Sequence, residues 1–144
     1  VDRGKPGSKI HVLCDQNGIP LTALISAANT HDSQLLIPLL DSIAPIRSPA
    51  GPPRRRPAKL HADKAYDQRG LRREISRRGI KVRIARRGIE SSQHLGRYRW
   101  KVEACLAWLM NNRRLQHRYE RKHQHFEAFT DLACALICYR KLTK

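Results

Sequence analysis

The chain has 144 residues, 40% of them hydrophobic, and carries 29 Lys and Arg against 12 Asp and Glu, a formal charge of +17. That length and apolar fraction suit one domain, residues 1–144, and the charge excess points to a polyanionic partner, because basic surfaces release counterions on phosphate contact. No apolar run approaches the roughly 20 residues that span a bilayer, and Val1-Asp2-Arg3-Gly4 is polar from the start, unlike a signal peptide, so a cytoplasmic protein with no membrane contact is expected.

Residues 9–14 alternate and then run apolar, Asp15-Gln16-Asn17-Gly18 is a turn signal, and Ile19 to Ala27 is a second extended run. Together they predict a β-hairpin. Asn29 or Thr30 reads as a helix N-cap with Asp32 in the first turn, and Leu35, Leu36, Leu39, Leu40 and Ile43 follow at helical spacing, predicting a helix over 31–44. Residues 45–58 hold five of the eight prolines and the run Arg54-Arg55-Arg56, which makes them a loop.

A short strand at 59–63 leads through Tyr66-Asp67-Gln68-Arg69-Gly70 into a helix ending at Arg78, with Leu71 and Ile75 as its apolar stripe and Gly79 as its terminator. Residues 80–85 alternate Ile80, Val82, Ile84 with Lys81 and Arg83, a half-exposed strand with a basic outer face. After a polar connector, a long helix is expected over 97–117, with Trp100, Val102, Leu106, Leu109 and Met110 toward the core. A last helix spans 124–141 through Phe126, Phe129, Leu132, Ala133, Leu136 and Ile137. The order β-β-α-β-α-β-α-α implies an α/β fold, a mixed sheet flanked by helices.

The four cysteines, Cys14, Cys105, Cys134 and Cys138, form neither a dense disulfide framework nor a Cys-x-x-Cys pair, so they read as reduced core thiols. The His11–Cys14 interval resembles half a metal site, but no second pair answers it.

Two acids stand out. Asp63 ends the short strand, before a turn and a helix, and ligand crevices of open α/β sheets form outside such strand ends. Glu103 sits within the long helix on a face shared with Arg99, Ala107 and Met110. Both are expected near the core, where an ionised carboxylate needs a compensating partner such as a divalent cation. The plainer readings are a turn or cap role for Asp63, with Asp67 as an alternative cap, and an ion pair of Glu103 with Arg99. Two carboxylates converging on a cleft suit metal-assisted phosphodiester chemistry.

The cations that would bind phosphate are clustered. Arg69, Arg72, Arg73, Arg77, Arg78, Lys81, Arg83, Arg86 and Arg87 face a single acid, Glu74, and a second group holds Arg113, Arg114, His117, Arg118, Arg121 and Lys122. Backbone contacts to DNA, positioning it without reading its bases, are expected of them.

With these residues in view, the chain resembles the DDE transposases of bacterial insertion sequences. The resemblance rests on Asp2-Arg3-Gly4-Lys5-Pro6-Gly7-Ser8-Lys9, Leu60-His61-Ala62-Asp63-Lys64-Ala65-Tyr66-Asp67, Ile84-Ala85-Arg86-Arg87-Gly88 and Arg99-Trp100-Lys101-Val102-Glu103. It continues in Ala107-Trp108-Leu109, Arg113-Arg114-Leu115 and Ala133-Cys134-Ala135-Leu136-Ile137. It implies a ribonuclease H-like fold and a Mg²⁺ (or Mn²⁺) site built by two aspartates and a glutamate. Asp63 matches the second aspartate, Glu103 the glutamate, and Arg99 the arginine of the helix signature. Position 96 is Gly where the signature has Tyr, and position 110 is Met where it has a basic residue.

The first aspartate of the pattern belongs to a strand preceding these residues. Asp15 lies in a turn and Asp2 at the terminus, and position 1 is Val, so an N-terminally truncated chain lacking the first strand and first carboxylate is expected. The function implied is Mg²⁺-dependent cleavage and transfer of double-stranded DNA at element ends and target. The chain would be inactive alone, completed by an upstream transposase product, and part of a homo-oligomeric synaptic complex. The competing readings are a non-catalytic DNA-binding regulator derived from such an element and, more distantly, a ribosome-associated basic protein.

Overall fold

In the computed structural model the strands make two separate two-stranded sheets, β1–β2 and β3–β4. The structure describes residues 7–47, 50–86, 88 and 92–143, with the backbone alone for 92–98. It divides into two compact units, at Thr30/His31 and again at Arg99/Trp100. An α/β architecture is therefore present.

In the unit that holds the two ends of the sequence, β1 (Ser8–Cys14) pairs antiparallel with β2 (Pro20–Ala27). Asp15 closes the turn, its Oδ1 accepting the backbone N–H groups of Asn17 (2.8 Å) and Ile19 (2.9 Å). Gly18 takes φ +80°, where a side chain is strained, and an added Cβ would meet the Lys101 carbonyl oxygen at 3.0 Å. His11 is buried, with Nε2 2.8 Å from Ser26 Oγ across the hairpin, so the His11–Cys14 interval serves strand pairing.

Three helices complete this unit. Cys105 and Leu109 of α3 (Ser92–Met110), Leu115 of α4 (Arg113–Gln116) and Phe126, Ala133 and Ile137 of α5 (His123–Leu142) form one core with Ile25 of β2. All four cysteines are free, and Cys105 is fully buried in this core. The expected 97–117 helix is thus corrected to two helices. Asn112 breaks it, its side-chain amide donating to the carbonyls of Trp108 (3.2 Å) and Leu109 (3.0 Å) that the next helical turn would have used.

The second unit, His31–Arg99, opens with a 3-10 turn, Asp32–Leu35, and continues as α1 (Leu36–Asp41). One helix over 31–44 was expected, and Pro38 explains the division. A continuous α-helix would need an N–H at Pro38 to reach Gln34, whereas restarting at Leu36 places the proline in the first turn, where no donor is required. The cap is His31, whose Nδ1 accepts from Ser33 N–H, and not Asn29 or Thr30.

β3 (Lys59–Ala62) and β4 (Lys81–Ile84) pair in parallel, joined by α2 (Arg69–Arg77) as a β-α-β crossover. Ile75 is fully buried and Gly79, at φ +70°, ends the helix. Leu36, Leu39, Leu40, Leu60, Ile80 and Ile84 are buried in this unit.

Candidate nucleic-acid and metal site

Asp63 follows β3 directly, outside its carboxyl end, as the strand-then-turn pattern led one to expect. It is exposed, and this corrects the expectation that burial makes its charge costly. Its Oδ1 accepts the backbone N–H of Ala65 and caps the 3-10 turn Lys64–Tyr66. Asp67 does not take over that role. It ion-pairs with Arg72 at 2.7 Å, and Gln68, the residue before α2, caps that helix without a side-chain hydrogen bond.

Tyr66 lies beside Asp63. Burial pushes its hydroxyl pKa up to about 12, helped by the charges of Asp32 and Asp63. The phenol therefore stays protonated at neutral pH, close to two carboxylates. Asp32 is a neighbour that the sequence presented only as a helix-dipole residue.

Glu103 is exposed too, and so are Trp100 (55%) and Val102 (39%), which had been expected to face the core. Helical rotation gives the reason. At about 100° per residue, Glu103 stands roughly 200° from Cys105 and 240° from Leu109, the buried pair that turns α3 inward. Arg99 is exposed, four residues earlier on the same helix. Asp63 belongs to the unit His31–Arg99 and Glu103 to the other.

Exposed carboxylates suit Mg²⁺ in their chemistry, because that ion prefers oxygen donors and keeps several waters, needing only one or two protein carboxylates. Among the described residues, no three His, Cys, Asp or Glu side chains are grouped to hold a metal.

The cations separate into two sets. Arg72 donates to Asp67 and to the Ile84 carbonyl (2.6 Å), tying α2 to the end of β4. Arg77 and Arg78 grip Glu74 at 2.9 and 2.8 Å, and Arg78 also pairs with Asp41. Both contacts lower the Glu74 pKa to about 2, and Arg78 likewise holds Asp41 below its usual range. These three arginines brace the unit internally. Arg69, Arg73, Lys81, Arg83 and Arg86 are exposed. Arg87 lies outside the described residues, as does Asp2.

The parallel ladder adds two residues that the sequence reading passed over. Lys59 is opposite Lys81 and His61 opposite Arg83, all exposed on one face, while Leu60, Val82, Ala62 and Ile84 line the other. Like charges paired across strands are unfavourable without a counter-charge. The alternation Lys59-Leu60-His61-Ala62 was the available signal. Residues 31–99 hold 17 Lys and Arg against six Asp and Glu, so this unit concentrates the charge excess.

In the other unit Arg113 is exposed, while Arg114 pairs with Glu120 (2.9 Å) and lies over the rings of Tyr119 and Phe129. Arg114 is therefore a structural cation as well as a surface one.

No helix among the described residues is long and apolar enough to cross a membrane. A family model described as "Transposase DDE domain" matches residues 1–138. A Burkholderia cepacia protein described as "Putative transposase for insertion sequence element IS402" is 46% identical over 143 residues, covering 99% of this chain and 68% of that protein. No solved structure matches. With a match of this extent, the chain belongs to the DDE transposase family.

Proposed function

We propose that the chain is the C-terminal catalytic portion of an insertion-sequence transposase, acting in Mg²⁺-dependent cleavage and transfer of double-stranded DNA. Asp63 and Glu103 supply two of its three carboxylates, and Arg99, one turn before Glu103, contacts the reacting phosphate. The observation that carries the reading is Asp63 outside the carboxyl end of β3, in the unit that also presents Lys59, His61, Lys81 and Arg83 on one exposed face. Mg²⁺, or Mn²⁺ in its place, would supply Lewis-acid activation of the attacking hydroxyl and of the leaving oxygen. Arg69, Arg73, Lys81, Arg83, Arg86, Arg87 and Arg113 bind the DNA backbone, while Arg72, Arg77, Arg78 and Arg114, balanced by Asp67, Glu74, Asp41 and Glu120, brace the folded surfaces beside them.

The 144 residues form one ribonuclease H-like domain in this reading. A further strand, beyond β1–β4, carries the remaining carboxylate. Four of the described acids are engaged elsewhere, while Asp32, like Asp63, lies close enough to Tyr66 to raise its pKa. Asp15 closes the hairpin turn, Asp41 and Glu74 hold Arg78, and Asp67 holds Arg72. The chain alone then binds DNA without cutting it and acts, as a homo-oligomer in a synaptic complex in the cytoplasm, when an upstream transposase segment completes the site.

The test is nicking of supercoiled DNA with Mg²⁺ by this chain and by one extended upstream through a strand ending in Asp. Nicking by the extended chain alone, lost on Asp63→Asn, is expected. Nicking by the 144 residues alone contradicts the third-carboxylate reading, and inactivity of both contradicts the enzyme reading. A second reading, a DNA-binding regulator, is favoured by the turn-capping role of Asp63, which gives that carboxylate a purely structural use.

A further inference from the structure

Three polar residues are buried among the described residues, and they differ in what they bond. His11 meets Ser26 across its own hairpin, and Thr130 donates to Phe126 within its own helix. Ser33 instead reaches Gln68, 35 positions along the chain, whose Nε2 donates to its Oγ at 2.9 Å. On its other side Ser33 Oγ lies 2.7 Å from His31 Nδ1. Ser33 N–H also donates to that nitrogen, at 3.3 Å, so Nδ1 is unprotonated and the hydroxyl must be the donor to it. The buried hydroxyl is thus satisfied as acceptor and as donor, and the chain from Gln68 through Ser33 to His31 runs one way.

The two ends of that chain belong to different parts of the unit. His31 and Ser33 start the 3-10 turn that leads into α1, where Leu36, Leu39 and Leu40 are buried. Gln68 closes the segment that Asp63 opens. Tyr66 N–H donates to the Asp63 carbonyl (3.1 Å), Gln68 N–H to the Tyr66 carbonyl (2.9 Å), and Ala65 N–H to the Asp63 carboxylate. Residues 63–68 therefore move as one short piece. Arg72, bonded to Asp67 and to the Ile84 carbonyl, holds that piece toward β4. Ser33 holds it toward α1, where the turns Asp32–Leu35 and Lys64–Tyr66 pack on one another.

A carboxylate that holds an ion works only within about 0.5 Å of its proper place. Asp63 is exposed, and its own cap fixes it only relative to Ala65. Its place in the fold is set by whatever anchors 63–68. We propose that Ser33 is a positioning residue for Asp63, fixing through Gln68 where that carboxylate stands for a divalent ion on DNA. The inference rests on the reading of Asp63 as a metal ligand and adds to it the residue that aims the ligand.

The experiment is Mn²⁺ titration with duplex DNA present, followed by proton relaxation enhancement. The proteins are the unaltered chain, Asp63→Asn, Ser33→Ala, Ser33→Thr and Gln68→Ala, with folding checked by circular dichroism. Gln68 is exposed and makes no side-chain cap bond to α2, so Gln68→Ala tests the chain even where Ser33→Ala disturbs folding. Ser33→Ala and Gln68→Ala should each bind Mn²⁺ about tenfold more weakly while binding duplex DNA as before. Ser33→Thr keeps the hydroxyl and should bind Mn²⁺ like the unaltered chain. Full Mn²⁺ affinity in Gln68→Ala overturns the proposal, as does a loss of duplex binding in step with it. So does a Ser33→Thr that binds no better than Ser33→Ala. Mn²⁺ bound equally by the unaltered chain and by Asp63→Asn, or by neither, overturns the reading of Asp63 itself and this inference with it.

Discussion

Lys59 stands directly opposite Lys81 across the parallel β3–β4 ladder, and two residues further on His61 stands opposite Arg83. Four cationic or titratable side chains thus share one exposed sheet face with no acid among them. Such a face is unfavourable in isolation and favourable against a phosphate backbone.

Removing those charges should weaken DNA binding without regard to sequence. Lys81→Gln with Arg83→Gln is expected to lower affinity for random duplexes and to reduce the slope of log K against log salt by about 0.9 for each phosphate no longer neutralised. Fluorescence anisotropy across a salt series measures both. An unchanged slope would place the DNA elsewhere.

Asp63 separates its structural role from its chemical one by substitution. Asp63→Asn keeps an oxygen to accept the Ala65 N–H, so the melting temperature should hardly change. Asp63→Ala removes the cap and should cost about 1 kcal/mol by denaturant unfolding. Equal losses in both variants would mean that the charge, and not the hydrogen bond, stabilises the turn.

The Asp41–Arg78–Glu74–Arg77 cluster gives an acid-side pH dependence. Hydrogen bonds from Arg77 and Arg78 depress the Glu74 pKa to about 2, below its unfolded value of about 4.3. The stabilisation is therefore complete above the unfolded value and disappears as pH falls through the folded one. Melting temperatures should fall between about pH 4.3 and 2, and Glu74→Gln should flatten that fall. A variant with an unaltered profile would show that other carboxylates set it.

The two faces of α3 should respond oppositely to truncation. Leu109→Ala empties a fully buried site and should cost about 2–5 kcal/mol. Trp100→Ala, at a side chain 55% exposed, should stay within about 0.5 kcal/mol. Urea unfolding measures both, and a large loss at Trp100 would mean that its ring is covered in solution.

Much of this was legible in the sequence. The hairpin followed from Asn17-Gly18, and the β-α-β unit from alternating Ile80, Val82 and Ile84 after a glycine-terminated helix. Local chemistry sufficed there, because turns and period-2 patterns are set by neighbours. The helices were harder. Pro38 and Asn112 each divided a helix that apolar spacing alone made continuous, through a missing donor and a competing side-chain amide. Which face of α3 turns inward depended on packing against β2 and α5, and apolar residues sit on several of its faces. Leu109 and Cys105 reach the core as their sequence pattern indicated, whereas Glu103 and Trp100, placed near it, are exposed. The positions of Asp63 and Glu103 on a strand end and a helix were readable from motifs. Their exposure, the capping by Asp63 and the nearness of Asp32 to Tyr66 were not, since each depends on contacts made only after folding.

The central claim is that Asp63 and Glu103 together hold a divalent ion for chemistry on DNA. Titrating Mn²⁺ into the chain with duplex DNA present, followed by electron paramagnetic resonance, tests it most directly. The expected result is bound Mn²⁺ with the unaltered chain and little with Asp63→Asn or with Glu103→Gln, all three binding DNA. Equal Mn²⁺ binding by all three proteins would contradict it.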